Sequence, residues 1–111
     1  MKENIILTKT FNFAIGIVEL NKFLVHEKKE FELSKQILRS GTSVGANTEE
    51  GTGGYSKKDF AAKMDIAYKE ARETHYWLRL LNATNYINEK QFNSLIKDCN
   101  EILKILYSII K

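Results

Sequence analysis

Proline is absent from all 111 residues, which removes the usual breaks at strand edges and turns and points to long helices joined by short loops. Cysteine is almost absent: Cys99 alone can form neither an internal disulfide nor a cysteine-rich metal site, so a reducing compartment is expected. Long apolar runs are missing as well. Phe13 to Val18 (FAIGIV) is bounded by Asn12 and Glu19, too short for a signal-peptide core with its cleavage site or for a membrane span, and the chain reads as soluble and cytoplasmic with no membrane partner. Neither sign of charge dominates. The balance of 17 Lys and Arg against 14 Asp and Glu, a formal +3, is mild for a domain whose affinity rests on phosphates, so it allows nucleic acid without demanding it. Residues 1–111 have room for one domain only, and they contain no linker, low-complexity tract or internal repeat that would suggest a solenoid.

What the chain does have is an unusual concentration of small residues between positions 36 and 54, QILRSGTSVGANTEEGTGG. Gly41, Ser43, Gly45, Ala46, Gly51, Gly53 and Gly54 all fall there. Each glycine inside a helix costs roughly 0.5–1 kcal/mol against alanine, so close approach of a neighbouring backbone is the expected compensation.

In chain order, residues 1–7 read as a frayed lead-in. Phe11, Ala14, Ile15 and Val18 then form one apolar row at helical spacing, and Phe13, Ile17, Leu20 and Leu24 a second, up to about His26. One row suffices to join a bundle; the surplus marks either contact with another chain, for which Phe13, Ile17, Leu20 and Leu24 are the candidates, or a broadly buried helix in a monomer. Three later boundaries share a pattern. Leu33-Ser34 with Leu38, Tyr55-Ser56 with Phe60, and Ile87-Asn88 with Phe92 each place a capping residue after an apolar residue, with an apolar partner one turn on. These predict helix starts at Ser34, Ser56 and Asn88, with Asp59 and Gln91 placed to complete capping boxes. Gly51 to Gly54 supplies positions that can take positive φ to end the second helix. Phe60, Met64, Ala67, Ala71, Thr74, Leu78 and Leu81 form a seam on helix 3, narrow in its middle and suited to the small-residue face of helix 2. Phe92, Leu95, Cys99, Ile102, Leu106 and Ile109 repeat it on helix 4. The pattern predicts an all-α, antiparallel up-down-up-down four-helix bundle.

No reactive constellation emerges. Gly45 and Gly51 have the wrong separation for a phosphate loop and are followed by Thr-Gly instead of Lys-Ser or Lys-Thr. Gly41 and Gly45 form a GxxxG pair in polar sequence, a sign of close helix contact and not of a membrane dimer. Glu73 and His75 point to different faces and His26 has no carboxylate three residues before it, so a di-metal site lacks its ligands. Cys99 is a seam residue. No catalytic residue, cofactor or metal is assigned, and the chain reads as a non-enzyme. Arg39, Ser43, Asn47 and Glu50 make one polar stripe on helix 2, opposite Lys63, Glu70 and Glu73 on helix 3; it is a solvated face, a hydrogen-bonded network or a ligand site. Residues 55–83 hold six basic and four acidic residues, with Lys57, Lys58, Lys63, Arg72 and Arg79 as candidates, beside Arg39, for contact with RNA or DNA.

The stretch from Leu38 to Leu81 resembles the four-helix-bundle family encoded in intervening sequences of bacterial 23S rRNA genes. Leu38-Arg39, the small-residue run with Ser43, Asn47-x-x-Glu50-Gly51, a short turn ending in Ser56, Phe60 and Glu73 carry the resemblance. It implies a homopentamer in which bundles form a ring. A related branch, the accessory variability determinant of diversity-generating retroelements, is similar in fold and implicated in binding nucleic acid and a reverse transcriptase. The resulting expectation is a non-catalytic ring that binds RNA or DNA through basic residues repeated around it; the alternative is a protein-interaction scaffold without nucleic-acid contact.

Overall fold

Four helices form the structure: α1 (Lys2–His26), α2 (Leu33–Thr52), α3 (Lys57–Ala83) and α4 (Glu89–Ile110). This computed structural model describes the backbone of residues 2–111 and the side chains of residues 5–111. Each helix packs on its neighbours in the chain, and α4 closes back on α1, with no close backbone approach across either diagonal among the described residues, as expected of an antiparallel up-down-up-down bundle. At 1.5 Å per residue α3 is about 40 Å long, close to the 43 Å long axis of the molecule.

The core runs the length of the bundle through Phe13, Ile17, Leu24, Ile37, Val44, Met64, Leu78, Ile102 and Leu106, all buried. Each such side chain stabilises the fold by roughly 1.5–3 kcal/mol. Buried polar contacts fix the register of three interfaces. Thr10 and Thr48 share a hydroxyl hydrogen bond of 3.1 Å between α1 and α2, Thr74 donates to Ser40 at 2.8 Å between α3 and α2, and the Cys99 thiol of α4 donates to the Ala71 carbonyl of α3 at 3.4 Å. The α1–α4 interface instead has a surface ion pair, Lys9 to Glu101 at 3.7 Å.

The small residues of α2 let backbones approach, though not where the pattern suggests. A methyl group on Gly41 would lie 2.7 Å from Ile17 Cγ1, so this part of the glycine face meets α1, not the narrow middle of α3. Gly51 is the position that meets α3, where a methyl group would lie 2.9 Å from Lys63 Cβ.

Several local expectations need correction. Of residues 1–7, Met1 lies outside the described residues, and the rest is no lead-in: α1 starts at Lys2, and buried Ile6 anchors its first turns. Ser34 does not cap α2. It lies within the helix, buried, with its Oγ unpartnered among the described residues, and the Glu30 carboxylate accepts instead from the N–H groups of Glu32, Leu33 and Ser34 at 3.2, 3.0 and 2.8 Å. Ser56 caps α3 as predicted, accepting from Asp59 N–H at 3.0 Å, but Tyr55 is fully exposed and staples nothing. Asn88 and Gln91 form the complete capping box. No glycine takes positive φ; Lys29 (53°) and Asn85 (66°) do so in the other two connections.

Candidate nucleic-acid interface

The polar stripe of α2 forms a structural network with α3. Arg39 donates to Glu70 at 3.1 Å and pairs with Glu73, while Trp77 Nε1–H donates to the same Glu73 carboxylate at 2.9 Å. That indole bond, reinforced by Arg39 against the opposing effect of burial, holds Glu73 below the usual carboxylate range, and chiefly the Glu73 hydrogen bond raises Arg39. Lys63 donates to Glu50 at 2.8 Å and is raised by that bond. Ser43 and Asn47 return to their own helix, donating to the Arg39 and Ser43 carbonyls at 2.7 and 2.8 Å. Gly51 admits the Lys63 stem, and Ser56 starts α3 so that Glu70 and Glu73 face Arg39. Arg39 and Lys63 are therefore already neutralised, which leaves little charge for a phosphate.

The other basic candidates have no carboxylate partner among the described residues. Lys57 and Lys58 are exposed at the start of α3, and Arg72 and Arg79 on its outer surface. Arg72, His75, Tyr76 and Arg79 border an open cleft of ≈ 620 Å³, and Leu103 of α4 and the engaged Glu73 complete the wall. Arg79 Nε–H donates to His75 Nδ1 at 3.1 Å, so the neutral imidazole carries its proton on Nε2. Burial first, then the charges of Arg79 and Arg72, lower the His75 pKa against an opposing hydrogen bond with Asn100 of α4.

Asn100 marks a row that charge counting along the chain overlooks. Lys90, Lys97, Lys104 and Lys111 recur every seventh residue, almost two helical turns, so they share one face of α4 at steps of about 10.5 Å. All four are exposed and none makes an ion pair among the described residues. The seven-residue spacing was available in the sequence, but Glu89 and Asp98 on other faces, and Glu101 beside the row and paired with Lys9, mask it in a net count.

Helix α1 shows the reverse of the expected arrangement. Phe13, Ile17, Leu20 and Leu24, the candidate interface, are buried in the bundle core, because only the row bearing Ile17 meets the glycine face of α2. The row left on the surface holds Phe11, 64% exposed, with Ile15, Val18 and Ile5.

The family model for the 23S rRNA-intervening sequence protein matches residues 2–108. The chain belongs to this family. A crystal structure at 1.70 Å of a protein with unknown function from the S23 ribosomal protein family, from Bacteroides thetaiotaomicron VPI-5482, is similar throughout: 55% identity, TM-score 0.96, and coverage of 99% of this chain and 98% of that one. The search of curated proteins finds no match. No helix among the described residues is long and apolar enough to cross a membrane, and no group of three or more His, Cys, Asp or Glu among them is placed to hold a metal ion.

Proposed function

We propose that this intervening-sequence protein is a non-catalytic, self-assembling bundle that binds RNA or DNA through the basic surface shared by α3 and α4. The observation that carries the reading is the absence, among the described residues, of acidic partners for Arg72, Arg79, Lys90, Lys97, Lys104 and Lys111, in contrast to Arg39 and Lys63. A polyanion gains most from charges the protein has not already neutralised. Assembly, into a pentameric ring as the family resemblance implies, would repeat this face around the particle and turn a weakly basic protomer into a multivalent binder. The exposed row of Ile5, Phe11, Ile15 and Val18 supports self-contact through α1.

Affinity for 23S rRNA fragments measured from about 50 to 200 mM salt tests the nucleic-acid reading. A steep loss with salt, reduced by Lys97→Gln with Lys104→Gln, is the expected result; weak binding insensitive to salt refutes it. The same apolar row also favours a second reading, a protein-interaction scaffold. Capture of one defined polypeptide that survives nuclease and is lost in Phe11→Glu would support that role.

A further inference from the structure

We infer that the cleft between α3 and α4 holds single-stranded nucleic acid, with the Arg79 guanidinium on a phosphate and the Tyr76 ring as a platform for a base. This rests on the nucleic-acid reading above and narrows it to one form of ligand.

Arg79 is oriented before any ligand arrives. Its Nε–H is held by His75 Nδ1 at 3.1 Å, and its guanidinium carbon lies 5.8 Å from the centre of the Tyr76 ring. Neither partner carries negative charge, and Glu73, the carboxylate in the cleft wall, is engaged by Arg39 and Trp77. The terminal nitrogens of the fork remain for an anion, and a guanidinium already positioned loses less freedom when it takes up a phosphate.

The aromatic rings decide between nucleic acid and an acidic polypeptide. Tyr76 is 50% exposed and meets Trp77 edge-on at 5.1 Å, which steadies the ring. A second ring and cation lie along the same pair of helices: Tyr107 is 53% exposed, has the Lys111 ammonium 5.6 Å from its centre, and packs on Tyr68 at 6.2 Å. Tyr68 and Tyr76 are eight residues apart on α3, so the two pairs are separated by about 12 Å along the axis. Exposed rings set beside cations are what unpaired bases and their phosphates use; a duplex hides its base faces in its own stack.

The test is fluorescence anisotropy with an unstructured 12-nucleotide RNA and with the same strand annealed to its complement. The parent is expected to bind the single strand more tightly. Tyr76→Leu should lose about tenfold for the single strand alone, Tyr76→Phe should retain it, and Arg79→Gln should weaken binding and lower the salt slope by about one. Lys22→Gln, an exposed charge on α1, controls for net charge. Trp77, the only tryptophan, should report strand binding through the ring it touches. Duplex preference, equal loss of both RNAs in Tyr76→Leu, or polyglutamate binding as tight as RNA would overturn the inference. If the parent binds RNA and Tyr76→Leu changes nothing, this inference falls and the broader reading stands; if the parent binds neither RNA, both fall.

Discussion

Gly41 and Ile17 are so close that a single methyl group on the glycine would lie 2.7 and 2.8 Å from the two γ-carbons of the isoleucine and 3.2 Å from its Cβ. These are the stiff inner atoms of a β-branched side chain, so relief requires movement of α1 itself. Gly41→Ala should therefore cost about 1–3 kcal/mol from overpacking, more than the roughly 0.5–1 kcal/mol gained in helix propensity. At Gly53 a methyl group would meet only the Glu49 carbonyl oxygen at 3.7 Å. Gly53→Ala should leave the melting temperature unchanged or slightly raised, while Gly41→Ala lowers it by several degrees.

The two apolar rows of α1 should separate folding from assembly. Ile17→Glu puts a charge into the sealed core and should abolish the cooperative melt. Phe11→Glu and Ile15→Glu alter exposed positions and should preserve the helical circular dichroism while reducing the mass seen by light scattering. An unchanged mass in both exposed variants would exclude this row as the self-contact.

His75 should make stability depend on pH below neutrality. Its folded pKa lies under the ordinary 6.5, mainly through burial, so at intermediate pH the unfolded chain binds the extra proton. Stability is thus complete above about 6.5 and is lost as the pH falls from there through the folded pKa. Glu73, lowered below 4.5, contributes in the same direction but only in stronger acid. Urea unfolding at about pH 7.5 and 5.5 should show the loss, and His75→Gln should reduce it.

Cys99 should be chemically silent in the native protein. Burial, with Asp98 nearby, pushes its thiol up to about 12, and reaction requires the thiolate. Iodoacetamide at about pH 8 should label it only after denaturation, as read by mass spectrometry. Rapid native labelling would mean that the α3–α4 seam opens.

Much of this architecture was legible in the residues. Ser56, Asn88 and Gln91 cap helices because short side-chain oxygens reach free N–H groups next to them, a local effect that spacing records. Glu30 was missed because a longer side chain reaches forward across the α1–α2 connection to make its three bonds. Periodicity could find both rows of α1 but not choose between them, since that choice depends on which row α2 can approach through Gly41. The site was less readable still. Arg39 and Arg79 look alike in the chain, and only the positions of Glu70 and Glu73 show that one is neutralised and the other is not.

The lysines of α4 do not run parallel to the helix axis. Seven residues fall about 20° short of two full turns, so from Lys90 to Lys111 the row swings by about 60°, toward the side on which Asn100 and Tyr107 face α3. The positive ridge is a ramp: it begins on the outer flank of the bundle at Lys90 and ends at Lys111, turned toward the α3 side where Tyr107 packs on Tyr68. A straight partner laid along the helix axis would stay centred on the first lysines and drift off the last, whereas a pliant one could follow the slope.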